Sequence, residues 1–299
     1  MNFVTLQDLK PGLGCGGRVI RSEWLCFGLG VFFAAHVLAA PALPEVLADK
    51  DTQSVFAGAA RKVSILLRNV GTESANFEAR YRLYQTSSAT AVRLSETPWK
   101  RLQVLPGQTI LETARLDFPA VKGETRCLIQ WIDSENRVLG KTDVLVYPTN
   151  LLDELQTLAG DEPLGVFDPN NQLKPPLKSL GVEFLDLGNT SLEGLPGKLA
   201  IIGPFESPAQ VRDDLAVRIR TLARKGAAIV WILPPTAKLD KLEPSFYSVA
   251  VGRGCIVVVQ AGFLSELPTN PRSQLNLLQL ARLALHPEPA RLPSFPSQQ

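Results

Sequence analysis

Over residues 124–133 apolar and polar side chains alternate, so that Cys127, Ile129 and Trp131 share one face, as a strand with one buried side requires. Similar β-rich runs lie at 60–70, 76–85, 99–105, 109–118 and 138–147, and no helical period interrupts them. Pro106-Gly107 is a turn dipeptide between two of these runs, and Ser134-Glu135-Asn136 is a polar hairpin tip. Short strands of this number and spacing, separated by turn signals, predict a β-sandwich of seven or so strands over residues 44–147.

After residue 150 the period changes. Apolar runs at 164–167, 182–187, 199–202 and 228–233 alternate with helical segments, which predicts an α/β arrangement around a mostly parallel sheet over residues 150–286. One helix reads residue by residue. Ser207 is a suitable N-cap and Pro208 fits the first turn, Val211, Leu215, Ile219 and Leu222 recur at three or four residues, and Arg224-Lys225-Gly226 closes the end. A second helix starts near Pro271 and stops before His286-Pro287. Two strands between 246 and 260 flank Gly252-Arg253-Gly254, read as a hairpin turn, with a phosphate-binding loop as the alternative that lacks a following helix.

The amino end looks like an address. Sixteen mostly apolar residues, 25–40, carry no formal charge, follow Lys10, Arg18 and Arg21, and end in small residues suited to cleavage after Ala39 or Ala42. Residues 1–42 are therefore expected to be a signal peptide and the protein to be exported. The alternative is an uncleaved membrane anchor, although the segment is shorter than the roughly 20 residues of a spanning helix. Gly12-Leu13-Gly14-Cys15-Gly16-Gly17 matches a dinucleotide-binding pattern, but Pro11 precedes it and an export segment follows, so no strand feeds it and no cofactor is expected. Residues 287–299 read as a proline-rich disordered tail.

Composition narrows the chemistry. Of 31 basic and 29 acidic residues, the first 39 positions hold three and two, leaving 28 against 27, which gives no electrostatic case for nucleic acid. Cys127 and Cys255 both sit in apolar strand patterns and are expected to be buried free thiols, neither disulfide-bonded nor metal-bound. The two histidines are His36, in the leader, and His286, in the tail. An enzyme would have to manage general-base and nucleophile chemistry without histidine, which favours a non-catalytic protein.

Two resemblances add to this reading. The run from Val104-Leu105-Pro106-Gly107-Gln108 through Leu116-Asp117-Phe118-Pro119 to Leu145-Val146-Tyr147-Pro148 resembles the immunoglobulin-like modules of multidomain exported glycosidases. Further on, Gly165-Val166-Phe167-Asp168, Leu199-Ala200-Ile201-Ile202-Gly203-Pro204, Arg224-Lys225-Gly226, Ile229-Val230-Trp231-Ile232-Leu233-Pro234-Pro235 and Gly252-Arg253-Gly254-Cys255 are similar to the class I glutamine amidotransferase-like domain. They are more similar still to its degenerate relatives in glycoside-hydrolase-associated proteins, such as the β-galactosidase trimerisation domain. The resemblances imply a multidomain chain, an all-β immunoglobulin-like sandwich followed by an α/β flavodoxin-like, amidotransferase-like domain. Members active as amidotransferases carry a cysteine in the turn after the strand matching 229–233, with histidine and glutamate downstream. This chain has Pro234-Pro235-Thr236 there, so the resemblance implies no amidotransferase activity.

Carboxylates remain as candidate chemistry. Asp168 and Glu206 fall just past two strand ends, where open α/β sheets collect ligands. As a pair they suit acid/base hydrolysis of a glycosidic bond or the binding of sugar hydroxyls. Each also has a structural reading, Asp168-Pro169-Asn170 as turn chemistry and Glu206 as a charge beside a helix start. Asp186 and Trp231 are expected to be structural. The sequence thus predicts a non-catalytic exported binding or assembly protein, accessory to extracellular carbohydrate processing, with a carboxylate-dependent glycoside hydrolase as the alternative. Its expected partners are protein, itself or carbohydrate; no nucleic acid and no metal are expected, and membrane contact is expected only through an uncleaved leader.

Overall fold

The computed structural model describes residues 44–47, 52–211, 213–234, 245–260 and 262–287. The leader, the glycine pattern at 12–17, Cys15, Cys26, Pro235, Thr236 and residues 288–299 lie outside the described residues.

The chain opens with eight strands: β1 (Glu45–Leu47), β2 (Gln53–Phe56), β3 (Gly58–Arg68), β4 (Ala75–Thr86), β5 (Ala91–Val104), β6 (Thr109–Phe118), β7 (Thr125–Ile132) and β8 (Val138–Tyr147). They form a three-stranded sheet, β1-β3-β6, and a five-stranded sheet, β2-β8-β7-β4-β5. All pairings are antiparallel except β2 with β8. The alternation in β7 decides which side faces inward. Cys127, Ile129 and Trp131 are fully buried in a core shared by both sheets. Trp131 packs its ring 5.1 Å from that of Trp99 and donates from Nε1 to Thr142 Oγ1 at 2.9 Å, so the one polar atom of the indole is satisfied inside the core. The hairpin tip after β7 closes on Asp133, which accepts from the backbone N–H of Glu135 and Arg137.

There follow α1 (Asp153–Ala159), β9 (Leu164–Phe167), α2 (Lys174–Ser179), β10 (Phe184–Asp186), α3 (Leu187–Thr190), β11 (Leu199–Ile202), α4 (Asp213–Lys225), β12 (Ala228–Leu233), β13 (Ser245–Val251), β14 (Gly254–Gln260) and α5 (Pro271–Leu285). Their strands form one sheet, β10-β9-β11-β12-β14-β13, parallel except for β13 at the edge. Side chains from α1, α2 and α5 cover one face, and those from α3 and α4 the other. Coverage on both faces is why β11, β12 and β14 read as continuous apolar runs.

The expected fold class is corrected. In place of an immunoglobulin-like sandwich followed by a separate flavodoxin-like domain, the described residues between 44 and 287 form one compact, mostly β unit of three sheets. Strands account for 45% and helices for 24% of the described residues. The physical reason lies at α5, whose contacts reach into both halves of the sequence. Arg272 Nη2 donates to Thr52 O at 2.9 Å beside β2, and α5 packs on β12 and β14. Buried Gln274 accepts from Leu151 N at 2.9 Å and donates to Leu267 O at 2.8 Å, tying the connection after β8 to the helix. A change of hydrophobic period marks where the secondary structure changes, and such contacts carry no period.

One helix start also differs. Ser207 makes no side-chain cap; Pro208–Gln210 is a single 3₁₀ turn, and α4 starts at Asp213. At α5 the start is as read, with Asn270 accepting from Arg272 N at 2.9 Å and Pro271 in the first turn. The stretch 246–260 is a hairpin, β13 and β14 joined through Gly252-Arg253.

Candidate functional site

The carboxyl ends of β9 and β11 lie side by side in the parallel sheet, so the loops that follow them meet. Gly203 N donates to Phe167 O at 2.8 Å and draws the second loop across the first. Only glycine fits there: its φ is +102°, and a Cβ would run into the carbonyl oxygen of Ile232.

Asp168 opens the first loop and is 3% exposed. Its Oδ2 accepts from the backbone N–H of Leu173 at 2.7 Å and of Lys174 at 2.9 Å, where α2 begins. Its Oδ1 is buried and has no hydrogen-bond partner among the described residues. The carboxylate thus stabilises a turn and the first N–H groups of a short helix, and both oxygens lie away from the surface.

Glu206, on the second loop, is exposed, and its Oε1 accepts from Gln172 Nε2 at 3.1 Å. Its backbone N–H donates to Gln210 Oε1 at 2.8 Å. Asn170 and Gln210 bond through both amide groups, each at 3.0 Å, and Asn170 Nδ2 also donates to Pro204 O at 3.2 Å. The structure therefore brings the two loops together, with Asp168 turned to the start of α2 and Glu206 exposed. Asn170, Gln172 and Gln210 carry the hydrogen bonds that join the loops. Nothing in the sequence singled these amides out, because they pair across 34 to 40 residues.

Asp186, at the end of β10, caps α3 through Gly188 N at 2.9 Å and pairs with Lys174 Nζ at 2.8 Å. That ammonium holds the Asp186 carboxyl below its ordinary range. Lys174 is the residue whose N–H bonds to Asp168, so Asp168, Lys174 and Asp186 are one structural chain. Trp231 is half-buried on the α4 side of the sheet, and its Nε1 is buried without a partner among the described residues.

Cys127 and Cys255 are free and buried. Burial pushes the Cys127 thiol up to about 11 and raises that of Cys255. Neither is poised as a nucleophile, since reactivity needs the thiolate. Among the described residues no cluster of three or more His, Cys, Asp or Glu could hold a metal ion, and no helix is long and apolar enough to cross a membrane.

A second candidate is an open depression of about 500 Å³ over β4 and β5, lined by Glu78, Arg80, Trp99, Lys100, Arg101 and Ser134 among others. Lys100 Nζ lies 5.0 Å from the centre of the Trp99 ring and pairs with Glu112. Next to it, Glu96 holds Arg80 at 2.6 Å, Arg82 at 2.8 Å and Arg93 at 3.3 Å, and these cations keep its carboxyl below the usual range, Arg82 foremost. The depression is open and gathers an indole with charged and hydroxyl groups.

No family model matches the chain, and no curated protein matches it. Three solved structures show the level of structural likeness. The alkylpurine DNA glycosylase AlkC of Pseudomonas fluorescens, bound to DNA with an abasic site analog, is 12% identical at a TM-score of 0.28, over 36% of this chain and 31% of that one. A β-glucosidase from Listeria innocua in complex with gluconolactone is 11% identical at 0.26, over 35% and 16%. The CARDB domain of the PF1109 protein of Pyrococcus furiosus, with di-metal ions, is 16% identical at 0.24, over 36% and 96%. The chain spans less than a third of the first two proteins, and likeness at these scores carries no argument about fold or activity.

Proposed function

We propose that this is a non-catalytic exported protein of binding or assembly, accessory to carbohydrate processing outside the cytoplasm. The observation that carries the non-catalytic part is the state of Asp168. One oxygen is committed to two backbone N–H groups and the other is buried in the interior, whereas Glu206 is exposed. A glycosidic acid/base pair needs both carboxyl groups at the substrate. Export rests on the leader's sequence, and the carbohydrate setting rests on the resemblance of strand and turn patterns. The depression beside Trp99 supports the binding part.

Three measurements test this reading. Assays with aryl glycosides and soluble polysaccharides should show no turnover above background, and turnover that vanishes in Glu206→Gln would overturn the non-catalytic part. Gel electrophoresis through soluble polysaccharides should retard the protein, less so after Trp99→Ala; free migration through all of them would remove the carbohydrate setting. Amino-terminal sequencing of protein recovered from its host should begin at Ala40 or Leu43, and an intact Met1 on soluble cytoplasmic material would refute export.

A further inference from the structure

The hairpin at the end of the third sheet leaves β13 bonded to β14 alone among the described strands. From Phe246 to Ala250 every side chain is exposed, on both faces of the strand, with Phe246 47%, Tyr247 60% and Val249 43% exposed. Other strand edges are defended in the usual ways. Edge strand β6 carries Glu112, Arg115 and Asp117, β5 carries Arg93, Glu96 and Pro98, and β1, β2 and β10 are four residues or shorter. β13 runs Ser-Phe-Tyr-Ser-Val-Ala-Val, without charge or proline.

Its free hydrogen-bonding groups have a definite phase. The two-residue turn, with Gly252 at φ +65°, makes Val251 and Gly254 a hydrogen-bonded pair. Alternation then turns the N–H and C=O of Phe246, Ser248 and Ala250 outward. A two-fold axis through Ser248 brings these groups into register with themselves. Phe246 meets Ala250 of the second copy, Ser248 meets Ser248, and on the opposite face Tyr247 meets Val249. Each match sets large against small or aromatic against β-branched, and no like charges oppose one another.

We propose that β13 pairs antiparallel with β13 of a second copy about Ser248, joining two six-stranded sheets into one. This rests on the assembly part of the proposed function and names the chain itself as the partner. Self-complementarity favours a second copy, since a two-fold contact must use the same patch twice, and this patch fits itself in both hydrogen-bond phase and side-chain size. The contact is modest. Aromatic side chains present roughly 150–250 Å² each, so half-exposed Phe246 and Tyr247 with Val249 offer on the order of 300 Å² per copy. That lies below the roughly 800 Å² per partner of a standard interface, and the dimer dissociates on dilution through the micromolar range.

Sedimentation equilibrium of the purified protein from about 1 to 500 μM, a span around micromolar dissociation constants, should show the mass rising from one chain toward two. Tyr247→Lys should hold it at one chain with unchanged circular dichroism and melting temperature. Register is read by cross-linking. Ser248→Cys should form a disulfide-linked dimer in oxidised glutathione, because paired Cα atoms sit about 5.5 Å apart, within disulfide reach. Ala250→Cys should not, because its opposite number is Phe246. A one-chain mass at every concentration overturns the proposal, as does equal cross-linking of both variants. So does flotation with phosphatidylglycerol vesicles that Tyr247→Lys abolishes in protein of one-chain mass, which would give the strand to a membrane surface. A monomer without glycosidase turnover leaves the non-catalytic reading standing; turnover lost in Glu206→Gln removes that reading and leaves the dimer.

Discussion

Removing the Asp168 carboxylate would leave the N–H groups of Leu173 and Lys174 without their acceptor at the start of α2. Charge-assisted bonds to backbone donors are among the stronger ones, so Asp168→Ala should cost about 2–4 kcal/mol in urea unfolding. A change within about 0.5 kcal/mol, the range of an ordinary surface substitution, would show that the carboxylate is not structural. At the surface, Glu193 accepts from both Nε and Nη2 of Arg218, at 2.6 and 2.8 Å, and this fork holds its carboxyl down to about 2. Because the folded value is depressed, the pair's stability is fully present above the unfolded value near ~4.3. It is lost as pH falls through that value toward about 2. Glu193→Gln should therefore lower the melting temperature modestly at pH 7, where the pair is intact, and progressively less as pH falls toward about 2, flattening the profile over that window, as calorimetry across pH would report.

At the scale of elements, caps separate the two long helices. Asn270 caps α5 through Arg272 N, so Asn270→Ala should cost about 1 kcal/mol. Ser207 makes no cap hydrogen bond, so Ser207→Ala should be near neutral in the same denaturation series. Equal losses would restore Ser207 as the start of α4. The contrast explains part of what the sequence conveyed. Ser207-Pro208 has the composition of a helix start, but the turn it opens ends at Gln210, whose side chain is occupied by Asn170 and by the N–H of Glu206. The competing partners lie on another loop, so no local signal announces them.

For the whole molecule, α5 is the element that makes one unit of three sheets. Its Arg272 reaches the backbone beside β2, and its Gln274 holds the connection after β8. Unfolding should be a single transition, the same when followed by far-ultraviolet circular dichroism and, in a Trp231→Phe background, by the fluorescence of Trp99 and Trp131 in the first two sheets. Two separated transitions would give the first two sheets their own stability. Gln274→Leu strands the Leu151 N–H and the Leu267 carbonyl, and should lower the midpoint by an amount equivalent to about 2–4 kcal/mol.

The sequence by itself determined what depends on neighbours a few residues apart. The inward face of β7 with Cys127, Ile129 and Trp131, the continuous apolar strands of the third sheet, the helix start near Pro271 and the turn at Gly252-Arg253 are all local patterns of period or turn, and the structure has each of them. The candidate site was legible only as two strand ends that could face one another. Tertiary structure decided that Asp168 turns inward to α2, that Asn170 and Gln210 join the loop of Asp168 to that of Glu206, and that α5 binds the sheets into one unit. It also left Phe246–Ala250 of β13 exposed on both faces, a property of which strand falls last in the sheet. Such outcomes join residues tens to hundreds of positions apart. They are fixed by where buried polar groups find partners, and hydrophobic period says nothing about that.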